Sequence, residues 1–174
     1  MEYIIQSGDI AKVEADALIT AINSGGLWFG GIDRVIQGVA GNLFHNQAKK
    51  ANPLTDGKAI IAMRGNTAHR GAFTNVVFVV DDLQQPLRNI IYAGLRAASN
   101  SGFKTVTLPA IRMGVMLGVV EHSKQEAVDE MIAGIKKFQQ ERSDGLKRIT
   151  LVVYGDTETE KLLSDAAIAE LMDK

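Results

Sequence analysis

Six short runs rich in β-branched and apolar residues recur along the chain, at Tyr3 to Gln6, Ala17 to Ile22, Ala59 to Met63, Asn75 to Val80, Thr105 to Leu108 and Arg148 to Tyr154. Several are apolar on consecutive rather than alternate positions. A strand that carries apolar side chains on both faces has to be covered on both, so the pattern points to a sheet between two layers of helix. Helical signals fill the gaps. Ile32, Val35, Ile36 and Val39 make an apolar stripe that starts at about Gly30-Gly31. Pro86 suits the first turn of a helix carrying Ile90, Ile91, Leu95 and Ala98, with Gly102 as its stop. Ser123 with Glu126, and Thr157 with Glu160, have capping-box spacing ahead of two further helices.

From Asn75 to Tyr154 the order is strand, helix, strand, helix, strand, which implies right-handed crossovers and locally parallel pairing. The expected fold is a three-layer α/β/α sandwich around a central mixed, partly parallel sheet. The polar stretch Arg64 to Thr74 reads as a surface loop joining two strands at an edge. No repeat, low-complexity run or Pro-rich linker divides the 174 residues, and 46% apolar content supplies a core. One domain over residues 1–174 is expected.

Composition removes several functional classes. The chain has 19 Lys and Arg against 20 Asp and Glu, a net charge of −1, without the basic excess that a nucleic-acid duplex or an anionic membrane surface demands. The absence of Cys excludes disulfides, thiolate metal sites and a Cys nucleophile. His45, His69 and His122 show no metal-ligand spacing, so neither a metal nor another cofactor is expected. Glu2 stands where a secretory signal would be basic and no apolar run is long enough to span a bilayer; a cytosolic protein is expected. Ser24 and Ser99 lack the setting of an activated nucleophile. Lys49-Lys50 reads as a solvated helix face, as does the acidic C-terminal helix.

Two loops leave strand ends, where open α/β sheets bind ligands. Asn23 to Asp33 holds four Gly in seven residues between Gly25 and Gly31 and runs into a helix N-terminus, a setting suited to phosphate or to tight packing. Pro109 to Gly118 leaves the fifth run. Neither has the spacing of a dinucleotide fingerprint or the ending of a P-loop.

Gly8-Asp9-Ile10, Ile19-Thr20-Ala21-Ile22-Asn23, Gly30-Gly31-Ile32-Asp33 and Leu108-Pro109-Ala110-Ile111 followed by Gly114-Val115, with the terminal strand Leu151 to Tyr154, resemble in order and spacing the signatures of the macrodomain family. The resemblance spans nearly the whole chain. It implies a domain that binds ADP-ribose or an ADP-ribosylated molecule and, in the hydrolytic branch, removes ADP-ribose from proteins or hydrolyses O-acetyl-ADP-ribose or ADP-ribose 1''-phosphate.

Position by position, the resemblance assigns Asp9 to the adenine amino group, with Ile10 as a neighbouring contact and Tyr154 as an aromatic beside the base. The ligand is then followed by Gly30, Gly31 and Ile32 and by the loop Arg112, Met113, Gly114, Val115 and Met116. Asn23 matches the residue at the distal ribose, and Asp33 the acid that orients or activates water. Each has a plainer alternative. Asp9 can cap a turn, Tyr154 can line the core rim, Asp33 can serve a helix first turn, and Arg112 can reach either phosphate or solvent.

The chain departs from the family pattern at Thr20, where Asn is usual, and at Trp28-Phe29, where glycines are usual. It departs again at Gln37, where hydrolases often have His, and at Arg112, Met113, Met116 and Leu117. Trp28 and Phe29 can narrow the distal pocket or supply a stacking wall. A binding or partner-interaction domain with a remodelled pocket and no catalysis is the alternative function.

Overall fold

The computed structural model describes all residues except 26–30, 52, 115, 142–144 and 173–174. Trp28, Phe29, Gly30 and Val115, all invoked for the site, therefore lie outside the described residues. The remaining chain runs β1 (Glu2–Ser7), a 3₁₀ turn (Ile10–Lys12), β2 (Ala15–Ile22), α1 (Gly31–Ala40), α2 (Leu43–Lys50), β3 (Ala59–Ala62), β4 (Phe73–Val80), α3 (Leu87–Asn100), β5 (Thr105–Pro109), α4 (Lys124–Gln140), β6 (Arg148–Val153) and α5 (Thr157–Glu170).

The strands form one sheet in the order β1-β6-β5-β2-β4-β3, parallel throughout except for β3, which runs antiparallel to β4 at the edge. Side chains alternate across β2. Ala17, Ile19 and Ala21 enter a core shared with α3, α4 and α5, while Leu18 and Ile22 enter a second core with Ile36 of α1 and with Phe44 and Ala48 of α2. The sheet is thus covered on both faces, as consecutive apolar positions require. Where α3 and α4 cross, Gly134 lets the backbones approach: a Cβ there would lie 2.6 Å from the Arg88 carbonyl oxygen.

Three boundaries differ from expectation for local reasons. Pro86 is the N-cap residue of α3 rather than part of its first turn. Ser123 Oγ accepts from Glu126 N as its spacing predicts, but the Glu126 carboxylate accepts from His122 N, one residue short of a reciprocal box. At α5 the cap is Asp156, a residue before Thr157. The eight-residue α2 carries no strong start signal, and forms because Phe44, His45 and Ala48 share a buried side. The 64–74 stretch is a connection at the β3 edge as expected, although Phe73 and Thr74 already belong to β4. Among the described residues no helix is long and apolar enough to cross a membrane.

The α5 cap carries its own prediction. Asp156 Oδ1 accepts from Thr159 N at 3.1 Å, Oδ2 accepts from Thr159 Oγ1 at 2.6 Å, and Lys124 Nζ lies 3.0 Å from Oδ2. The Thr159 hydroxyl, the Thr159 amide and then Lys124 hold the carboxyl down to about 2. This lies below an unfolded Asp value of about 3.9. The contribution is therefore present above about pH 4 and lost as pH falls toward 2. Asp156→Ala is expected to cost about 1 kcal/mol and to lower Tm by roughly 2–4 °C at neutral pH. Thermal melts of the two proteins should converge toward pH 2; a gap independent of pH would contradict the assignment.

Candidate functional site

Five strands end along one side of the sheet, and their following loops enclose a cleft of about 610 Å³. This is within the range of small-molecule sites. Residues after β1 (Gly8, Asp9, Ile10) and β6 (Tyr154, Asp156) form one end; Pro109 to Gly114 and Met116, at and after the end of β5, form the middle. Thr20 and Ala21 of β2 contribute to the floor, Gly31 to Asp33 of α1 to the other end, and Asp81 and Leu83 after β4 complete the wall. Neighbouring strands lie about 4.8 Å apart, so the end of β1 and the end of β2, three strands along, are separated by roughly 14 Å. The site is an elongated trough with different chemistry at each station.

At the first station Asp9 caps the 3₁₀ turn, its Oδ1 accepting from Ala11 N at 2.9 Å. An ionised carboxylate has about four acceptor positions, so the turn-capping role and an acceptor role toward a ligand amine coexist. Ile10 is buried beside it, while Tyr154 is 85% exposed at the mouth and so is no part of a core rim.

At the second station Met113 packs into the core of α3, α4 and α5, Gly114 is exposed and Met116 is half-buried. Leu117 N closes a turn onto Gly114 O at 3.1 Å. The N–H groups of Met113, Gly114 and Met116 have no acceptor among the described residues. Backbone groups left in this way at a cleft are suited to an anion.

Arg112 follows neither of its two expected courses. Its side chain is 2% exposed and forms ion pairs with Asp81 and Glu121. Burial alone would lower the guanidinium; Asp81 and then Glu121 more than offset this and hold it above the usual arginine value.

At the third station Asp33 lies in the first turn of α1, 6% exposed, where an acid complements the helix N-terminus. Its Oδ1 is 3.0 Å from His45 Nε2, which projects from the buried side of α2. The structure thus places a histidine against Asp33 from twelve residues away, whereas the position one turn after Asp33 holds the exposed Gln37. The sequence gives His45 no metal-ligand spacing and no evident partner; the signal for its burial is an imidazole within the Phe44, Ala48 apolar pattern. Asn23 is half-buried immediately after β2 and is not among the described walls of the cleft. Its neighbour Ser24 donates its N–H to Asp82 Oδ1 at 2.8 Å. No group of three or more His, Asp or Glu side chains able to hold a metal occurs among the described residues.

Comparison with known proteins gives the same architecture. Residues 19–127 match the Macro domain family model. The mouse ADP-ribose glycohydrolase MACROD1 is 26% identical over 156 residues, covering 84% of this chain and 46% of that protein. The O-acetyl-ADP-ribose deacetylase of Escherichia fergusonii is 29% identical over 121 residues, covering 65% of this chain and 68% of that protein. In three dimensions the Trypanosoma brucei macrodomain, solved in complex with ADP-ribose, superposes with a TM-score of 0.79 at 19% identity, covering 95% of this chain and 69% of that one. With the family model matched over more than half its length, and a six-stranded mixed sheet enclosed by helices on both faces, the chain belongs to the macrodomain family.

Proposed function

We propose that the trough binds ADP-ribose, free or attached to another molecule. The adenine would lie at Asp9 and Tyr154, the diphosphate at the Met113 to Met116 turn, and the distal ribose toward Asn23, Gly31, Ile32 and Asp33. The observation that carries this reading is the order of chemistries along the strand ends: an amine acceptor, then three N–H donors with no acceptor among the described residues, then a buried carboxylate. The names of the mouse, bacterial and trypanosomal relatives agree with it. A near-neutral chain is no obstacle, since one diphosphate can be held by backbone donors, and it favours a small ligand over a nucleic-acid duplex.

Calorimetry on the folded protein should give ADP-ribose the highest affinity, AMP a lower one and ribose 5-phosphate the lowest. Absence of ADP-ribose binding at millimolar ligand would refute the proposal. Met113, one of the side chains that could fill the pocket, packs into the core instead, and the described residues leave the trough open; the part of the filled-pocket alternative that rests on Trp28 and Phe29 lies outside the described residues.

One observation favours a second reading, hydrolysis at the distal ribose. Asp33 opens on the trough while His45 Nε2 holds one of its oxygens. A carboxylate fixed in orientation and largely shielded from bulk water is suited to take a proton from an attacking water.

A further inference from the structure

Among the described residues, the only non-glycine positions with left-handed backbone conformation are Leu83 (φ 59°) and Arg112 (φ 62°), and both line the trough. L residues avoid this region unless the surroundings impose it, and such positions concentrate at functional sites. The surroundings here are a single buried network. Arg112 Nε donates to Asp81 Oδ2 at 3.0 Å, and Nη2 donates to Asp81 Oδ1 at 2.7 Å and to the Gln85 carbonyl at 2.8 Å. Nη1 donates to both Glu121 oxygens, at 2.9 and 3.1 Å. A guanidinium has five N–H donors, and these five bonds account for all of them.

The carboxylates are bound from the other side as well. Asp81 Oδ1 accepts from Leu83 N at 2.9 Å, and Glu121 Oε1 accepts from Leu87 N, at the start of α3, at 3.0 Å. In the strand order β5-β2-β4, Arg112 follows β5 and Asp81 follows β4, so the pair forms a strut across the end of β2. The strut joins the loop carrying Met113, Gly114 and Met116 to the start of α3 and to the segment before α4.

We propose that Arg112 is a positioning residue for anion recognition. It touches no part of the ligand; it holds the β5 loop in the conformation that turns the N–H groups of Met113, Gly114 and Met116 toward a diphosphate. The inference rests on the ADP-ribose reading of the trough and adds to it that no side-chain cation contacts the phosphates.

Two measurements test it by calorimetry with ADP-ribose, ADP and adenosine. In the unaltered protein, raising salt from about 0.05 to about 0.5 M should not weaken ADP binding, because no exposed cation is screened. A fall of about fivefold or more would place a cation on the phosphates and overturn the proposal. Arg112→Lys keeps the charge but lacks the planar fork. It should weaken ADP-ribose and ADP by roughly tenfold or more, the scale of one charge-assisted bond, while adenosine affinity stays within about twofold. Equal losses for all three ligands, or unchanged diphosphate affinity, would reduce Arg112 to a packing role. If the unaltered protein bound ADP-ribose and ADP but Arg112→Lys left both affinities unchanged, this inference would fail alone. Binding none of the three would refute the ADP-ribose reading itself and this inference with it.

Discussion

Asp33→Ala is expected to reduce turnover of an ADP-ribosylated or O-acetylated ADP-ribose substrate by roughly a hundredfold or more, while ADP-ribose affinity changes by no more than a few-fold. The split follows from where Asp33 sits. It occupies the far end of the trough, roughly three strand spacings from Asp9, so the adenine and diphosphate contacts proposed above do not depend on it. A hundredfold loss corresponds to about 2.7 kcal/mol of barrier, a plausible share for one oriented base acting on water. Ala also removes the acceptor that faces His45 Nε2 inside the protein, so a fall in stability will accompany the kinetic effect. Asp33→Asn separates the two, since the amide retains a hydrogen-bonding oxygen at similar volume but has no basicity. Single-turnover hydrolysis and calorimetry on both variants provide the measurement. Unchanged turnover in Asp33→Asn would remove this residue from the chemistry.

The parts of this arrangement that could be read from sequence share a physical origin. Val76 to Val80 and Ala17 to Ile19 are apolar on successive positions because both faces of the central strands are covered, so the layering follows from the pattern alone. Once strands alternate with helices, the Gly8, Asn23 and Pro109 loops must all emerge at one side of a parallel sheet, and a shared cleft is anticipated.

What escaped prediction depends on contacts remote in sequence or on unusual backbone. Arg112 was expected to face phosphate or solvent; its inward course requires φ 62° together with acceptors at Asp81 and Glu121, on different segments. Asp81 directly follows β4 and Glu121 lies in the segment before α4, and nothing in the local sequence couples either to Arg112. His45 meets Asp33 only after α2 docks on the sheet, and eight residues including His, Asn and Gln gave little warning of a helix. Periodicity reports which face is buried; it says nothing about which polar groups meet once that burial is complete.

The docking of α2 can be tested through its largest anchor. Phe44 is fully buried; its ring centroid lies 5.2 Å from that of His69 in an edge-on arrangement and 5.9 Å from that of Phe73. An isolated helix of this length is not stable in water, so α2 depends on these contacts rather than on its own propensity. Phe44→Ala is expected to cost about 3–5 kcal/mol, a large part of the roughly 5–15 kcal/mol that stabilises a typical domain. It should lower Tm by about 10 °C. In denaturant melts the midpoint should fall at unchanged slope, the mark of a stability change without altered compactness. The substitution also reaches the site, because His45 is the next residue and depends on the same helix for its position against Asp33. Below the lowered midpoint, ADP-ribose binding should therefore persist while any turnover that depends on Asp33 declines. Destabilisation below about 1 kcal/mol would mean that the 64–72 connection refills the space and that α2 is held by something other than this aromatic cluster.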